Sequence, residues 1–375
     1  MPDPRPLRLS RQDAAAVATG FATADRAQPE LAAQAVRTAL TRIDASLAGS
    51  VLLFLTSHFH RNAQAAVSAA SRAARCLQVA GCTAPGVFTE SEWSLDAPAA
   101  AALVLCGDIG LVRPNDGQPI LTLAEAGDDH RHWMSDRVPR LGMLTTDADS
   151  DAPGRIWLHG KVHPGCCETS FSHCRMAIAV SRGIRALTAA MAVTEADGHE
   201  VFAIDDEPAL VTLLKHLPDD QPATSSRPGP HLFAALVRDQ VTAEQAIARG
   251  SYRLLPILGA SEDEQSLTLA QPLAPGDRLF WALRQPMAAV QDSGIALDRL
   301  AAEIPAPDFS VMFACIGRGP YFFGAEDIDL AQIDERFPGL PAIGAYGVGE
   351  IAPLADGNDV ISYSAVTALV GHVQP

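Results

Sequence analysis

The sequence predicts a mixed α/β fold (α+β mixed sheets) built from two related halves. Three observations lead there. Apolar runs of strand length recur along the chain, most clearly at 51–56 and 309–316. Each of these two runs is followed by a helical stretch and then a glycine-bounded turn. The turns are Gly81-Cys82-Thr83-Ala84-Pro85-Gly86 and Gly344-Ala345-Tyr346-Gly347-Val348-Gly349. Their spacing matches: five residues separate Gly81 from Gly86 and Gly344 from Gly349, and sixteen lead on to Ala102 and to Ala365. The match reads as an internal duplication. The plainer alternative is that strand, helix and glycine turn recur by chance in any α/β chain.

The elements follow in order. Residues 1–49 read as a helical segment, with Leu31, Val36, Leu40 and Ile43 on a loose stripe. The run VLLFLT at 51–56 is a buried strand. The helix expected over 61–80 places Val67, Ala70, Ala74 and Leu77 on one face. A further strand covers 101–106. Residues 114–153 are polar and rich in glycine and proline, which reads as surface loop. Strands are expected over 155–159 and 175–180, followed by an apolar run over 187–194. Ala196-Asp197-Gly198-His199 is a hairpin turn, since Asp-Gly supports positive φ at both central positions, and 201–204 returns. Asp205-Asp206-Glu207-Pro208 opens a helix that runs to about His216, with acids and proline where a helix N-terminus favours them. The linker candidate is 217–230, which divides the chain into 1–215 and 216–375. Strands over 231–237, 252–258, 266–270 and 278–284, a helix over 288–304 and the second α/β unit complete the chain.

Composition narrows the function. A chain of 375 residues has room for two cores, and 48% apolar with 19% charged residues suits a soluble protein. No run approaches the roughly twenty apolar residues of a membrane span. The N-terminus lacks the apolar core of a signal peptide, so a cytoplasmic location is expected. The 44 acidic residues outnumber 28 basic ones, and Lys161 and Lys215 are the two lysines. Without a clustered basic face, nucleic acid and anionic membranes are excluded as partners. Seven scattered cysteines read as free thiols.

Candidate binding residues cluster at the second turn. Arg318 sits between two glycines just past a strand end, where ligands of α/β sheets favour binding. It could grip a carboxylate or phosphate, or instead satisfy backbone carbonyls or pair with Glu350. Glu350, with Gly347 and Gly349 around the turn, could accept a ligand amine or act as a base, or form that internal ion pair. Cys315 is a nucleophile only if a base makes its thiolate; otherwise it is a packing thiol. Cys82 and Thr83 are the first-half counterparts, with Thr83 either bonding a ligand or closing its turn.

A second group is rich in soft ligands. His159, His163, Cys166, Cys167, His173 and Cys174 fall within sixteen residues. Such density suits zinc, copper or a haem ligand, although the spacing fits no standard zinc module and strand alternation would split the set between two faces. His58 and His60, and likewise His130 and His132, lie two apart and could ligate a metal or haem. No dinucleotide fingerprint, P-loop or nucleophile elbow is present. Catalytic residues are therefore not assigned, and non-covalent binding is favoured over catalysis.

These residues together resemble the FIST family. Phe313-Ala314-Cys315-Ile316-Gly317-Arg318-Gly319, then Phe323-Gly324, then Gly344 with Gly349-Glu350-Ile351-Ala352-Pro353 and Asn358, are similar to its C-terminal signature. Gly81-Cys82-Thr83-Ala84 with Gly86-Val87, and Arg182-Gly183-Ile184-Arg185 through Pro208-Ala209-Leu210, resemble its N-terminal part. The first turn departs from the pattern in carrying Val87 where many relatives have Glu, and Ala186 and Thr188 replace a common Pro and Gly. The resemblance implies a ligand-binding, signal-transducing role, with amino acids or related metabolites as ligands. Some relatives of this length look like haem-binding sensors acting on a histidine kinase, which implies a signalling protein of that kind as partner.

Overall fold

The computed structural model describes residues 16–115, 117–127, 134, 136–146, 150–218, 229, 231–237, 241–354 and 357–373. They form a mixed α/β protein of two compact units, interleaved along the chain. The larger unit comprises Met1–Ser181 and Ser293–Pro375, and the smaller, Arg182–Asp292, is inserted within it. The boundary expected at residue 215 therefore falls inside the inserted unit.

Two sheets of the larger unit repeat one strand order. In the first, Ala16–Thr23, Ala99–Cys106, Ser50–Thr56 and Val79–Ala84 are neighbours; in the second, Cys174–Ser181, Ala365–His372, Phe309–Cys315 and Ala342–Gly347. In both, the first two pairings are antiparallel and the third is parallel. The inner faces share one core, in which Leu52, Phe54, Cys82 and Ala101 meet Phe309, Val311, Phe313 and Ile343. Phe54 and Phe313, each fifth in a seven-residue strand, meet edge to face at 5.5 Å. The outer face of the first sheet is covered by helices Pro29–Arg42 and Ala63–Ala74 through Ala32, Val36, Val67 and Ala70. The outer face of the second is covered by the end of helix Pro286–Glu303 and by Ile328–Arg336, through Leu297, Leu300 and Ile333. Burial on both faces explains why these strands read as continuous apolar runs.

Register places the glycines. Phe54 pairs with Cys82, and Phe313 with Ala345, so Gly81 and Gly344 occupy equivalent places beside Leu53 and Met312. A Cβ at Gly81 would lie 1.7 Å from the Leu53 carbonyl oxygen, and one at Gly344 would lie 2.0 Å from that of Met312. Gly81 also has φ +152°. Both glycines lie inside strands, and the bends come later, at Pro85 and Val348. The sixteen-residue interval holds less well. Ala365 pairs with Ala314, whose counterpart Leu55 pairs with Ala100, two residues short of Ala102.

A third sheet of the larger unit runs Gly357–Ile361, Gly349–Leu354, Arg140–Leu144, Ile120–Ala124, Cys166–Phe171 and Leu111–Val112. Two of these strands lie in the segment expected to be loop. ILTLA and RLGML pair in parallel and bury Leu121, Leu123, Leu141 and Met143 in the shared core. Two other expectations also change. A strand, Ala16–Thr23, precedes the first helix. The helix expected over 61–80 ends at Arg75, which adopts φ 52°, and Leu77 is 74% exposed.

The smaller unit is antiparallel throughout, with its own cores. Its helix Ala243–Arg249 starts at a capping box of Thr242 and Gln245. Residues 219–228 and 230 of the expected linker lie outside the described residues. No helix among the described residues is long and apolar enough to cross a membrane.

Candidate functional site

The strand Phe309–Cys315 ends in a 3-10 turn, Ile316–Arg318, beside its parallel neighbour Ala342–Gly347. Arg318 turns inward and is 1% exposed. Its Nε and Nη2 donate to the two Asp329 oxygens at 2.8 and 2.9 Å. Its Nη1 and Nη2 donate to the Ser181 carbonyl at 2.9 Å and the Ser181 hydroxyl at 2.7 Å. Asp329 is thus an ion-pair partner of Arg318, while the sequence offered Glu350. At the matching place in the first half, the 3-10 turn Ser57–Phe59 ends in a buried phenylalanine, so the position is buried in both halves.

Two more carboxyls share this interior. Asp327 caps the helix Ile328–Arg336 by accepting from the Leu330 amide at 2.9 Å, and it accepts a hydrogen bond from the Tyr346 hydroxyl. Burial, with Asp329 beside it, pushes the Asp327 carboxyl up to about 6. Glu350 is wholly buried. Its Oε2 accepts from the Ser364 hydroxyl at 2.6 Å, while Oε1 has no hydrogen-bond partner among the described residues. Burial pushes this carboxyl up to about 8, against the opposing pull of Ser364 and Arg318. Burial thus favours the protonated form of Glu350.

The remaining residues of the expected pocket are also packed in. A Cβ on Gly347 would touch Met143, one on Gly349 would press on Val360, and Cys315 is buried. Cys82 faces the core, where burial and Cys167 push its thiol well up. The Thr83 hydroxyl accepts from the Arg155 amide at 2.8 Å, tying its strand to the next segment. The second turn thus builds a closed polar interior. Asp329, Asp327, Ser181 and Ser364 complete it, and sequence reasoning misses them. The acidic pair at 327 and 329 reads from sequence only as a helix start, and Ser181 carries no local signal.

An open cleft of 410 Å³ lies elsewhere in the larger unit. Its apolar wall is Val79, Ala80, Leu111, Val112 and Leu158; its polar groups are Gln78, Arg113, His159, Cys166, Glu168 and Thr169. The hairpin Ile156–Leu158 to Lys161–His163 positions His159. Its tight turn takes φ 51° at His159 and 73° at Gly160, and the Gly160 amide donates to the Val79 carbonyl at 3.0 Å. Nδ1 of His159 lies 2.7 Å from the Gln78 amide oxygen. Glu168 is held by an ion pair with Arg140, whose guanidinium also bonds Thr122 at 3.0 Å and Asp136 at 3.1 Å. Thr169 donates its hydroxyl to the Val112 carbonyl at 2.9 Å. Arg113 is exposed at the rim. The cleft thus offers an apolar wall with a cation, an imidazole, a thiol and a carboxylate.

The histidine- and cysteine-rich segment does not form the expected metal centre. Strand alternation sends Cys166 to the cleft and Cys167 to the core, where burial pushes that thiol up to about 12. His163 bonds the Pro164 carbonyl through Nδ1, and His173 occupies a turn with φ 52°. Cys174 is pushed up to about 12 by burial, Asp308 and Asp108. Among the described residues no three His, Cys, Asp or Glu side chains come together to hold a metal ion. His58 and His60 serve the strand end, with Nδ1 atoms 3.2 Å from the Thr56 hydroxyl and 3.1 Å from the Ser57 carbonyl. His130 and His132 lie outside the described residues.

Comparison with known proteins adds a domain match and two relatives. Residues 209–353 match the model of the FIST C domain. An uncharacterized protein of Mycobacterium tuberculosis (strain ATCC 25618 / H37Rv) is 30% identical over 195 residues, 51% of this chain and 49% of its own length. An uncharacterized protein of Mycobacterium bovis (strain ATCC BAA-935 / AF2122/97) is 28% identical over 191 residues, again 51% and 49%. The chain spans about half the length of the curated relatives it matches.

Proposed function

We propose, from the match of residues 209–353 to the FIST C domain, that the chain is a cytoplasmic sensory protein. In this reading it binds a small polar molecule non-covalently and passes the signal to a protein partner such as a histidine kinase. The observation that carries the reading is the 410 Å³ cleft, which joins an apolar wall to groups of both charges. Arg113 suits an anionic group of the ligand, as does His159 when both its ring nitrogens carry hydrogen, and Glu168 suits a donor. Signalling then follows from differential affinity of the ligand for two conformations. The matched strand orders of the two sheets support a duplicated origin.

The test is thermal stabilisation by a panel of amino acids and related small metabolites. Stabilisation by one of them in the wild type should fall in Arg113→Ala and His159→Ala. Loss of a charged hydrogen bond weakens affinity by roughly 10- to 100-fold. Undiminished stabilisation in both variants would place the ligand elsewhere.

A second reading, haem ligation by His159, has one observation in its favour. With Gln78 presenting its amide oxygen, His159 Nδ1 carries the hydrogen, which leaves Nε2 as the ligating nitrogen beside an apolar wall. Haem added to the protein would give a Soret band that His159→Ala loses. No band in the wild type removes this reading.

A further inference from the structure

We propose that Glu350 and Arg318 form a proton-operated latch on Ser181, the residue at which the chain leaves the larger unit. The inference is independent of the cleft and rests on a closed ring of contacts. Arg318 holds the carbonyl and the hydroxyl of Ser181. Ser181 pairs with Ala365 at the end of its strand. The preceding residue, Ser364, donates its hydroxyl to Glu350 and accepts the Cys315 amide at 2.9 Å. The arginine thus grips the end of one strand and the glutamate the residue that leads into its neighbour, and Arg182, the residue after Ser181, opens the inserted unit.

The charges around Glu350 decide what its proton does. Arg318 lies on the 3-10 turn, Asp327 and Asp329 at the start of the helix Ile328–Arg336, and Tyr346 on the strand Ala342–Gly347. Cys315 ends the neighbouring strand, and Tyr363 packs on Gly317. Of these groups Arg318 alone is a cation, and Asp329 already pairs with it. While Glu350 is neutral, Oε1 needs no counter-charge. When it gives its proton to solvent, a buried carboxylate appears whose Oε1 has no hydrogen-bond partner among the described residues, and the nearby Ser364 and Glu350 amides offset its burial only in part. Arg318 then turns toward Oε1 and gives up Ser181, which loosens the end of the strand Cys174–Ser181.

Hydrogen exchange of the full chain between pH 6.5 and 9, corrected for the intrinsic rate, tests the latch. Exchange across 174–181 should rise about tenfold in the wild type, the change expected one pH unit beyond a single titration. Exchange across 50–56 should stay constant. Glu350→Gln, which cannot ionise, should remove the rise. A flat wild-type profile, an equal rise in Glu350→Gln, or a parallel rise at 50–56 overturns the proposal. If Glu350→Gln does not fold, Ser364→Ala serves. It removes a donor to the carboxylate and should move the midpoint to higher pH, and an unmoved midpoint overturns the latch.

Discussion

Arg318 and Asp329 are 1% and 2% exposed, and each is the other's counter-charge. Arg318→Ala would leave a carboxylate buried without its partner. Such losses cost about 3 to 5 kcal/mol, which urea unfolding would measure. Replacing both with apolar residues of similar volume, as in Arg318→Met with Asp329→Leu, should recover most of that loss. Glu350 acts through pH. Its folded carboxyl is raised from the ordinary 4.5 to about 8, so its contribution to stability is full below about 4.5 and is lost as pH rises toward 8. Stability should fall by roughly 1 kcal/mol per pH unit across that window, and Glu350→Gln should flatten the fall. A wild-type slope no steeper than the variant's would contradict the buried, protonated state. At this scale the sequence marks Arg318 and Glu350 as special through the glycines around them. It cannot show their partners, because Ser181 lies 137 residues from Arg318 and is brought there only by sheet pairing.

The strand pairs show what local pattern can reveal. Runs buried on both faces, such as 51–56 and 309–315, stand out as apolar blocks, and their pairing follows. Ala16–Thr23 does not stand out, because its three alanines and its glycine give little strand signal even when packed under a helix. ILTLA and RLGML are each five residues long and set among polar loops, so composition hides them. Leu77 misleads because the helical period continues past Arg75, where the backbone has already left the helix. Gly81 and Gly344 are legible as glycines that matter, but the reason is the carbonyl of the neighbouring strand. Gly81→Ala adds a Cβ 1.7 Å from that oxygen, at a φ that L residues avoid. It should cost more than about 4 kcal/mol, or prevent soluble expression. Gly117→Ala, with nothing within 4 Å of its Cβ and φ +81°, should show only the smaller backbone penalty of roughly 1 kcal/mol.

For the molecule as a whole, one compact unit is inserted in another that repeats a strand order. Composition and length point to two cores, but an insertion leaves no mark on composition, and so a sequential boundary is the natural reading. Each unit has its own buried clusters, so calorimetry should resolve two unfolding transitions. Arg318→Ala should lower that of the larger unit and leave the other in place; a single transition that shifts as one would show that the units melt together. The candidate site was legible in part. His159 and Cys166 stand out as ligand-type residues, and the fold sets both on the cleft; Glu168 and Thr169 share the strand of Cys166, but Gln78 and Arg113 come from distant segments. The most direct measurement is calorimetric titration of a small polar metabolite that raises the melting temperature of the intact chain, against wild type, Arg113→Ala and His159→Ala. Saturable binding to the wild type, weakened roughly tenfold or more in both variants, is the expected result. Equal affinity in all three proteins would contradict a ligand site in the cleft.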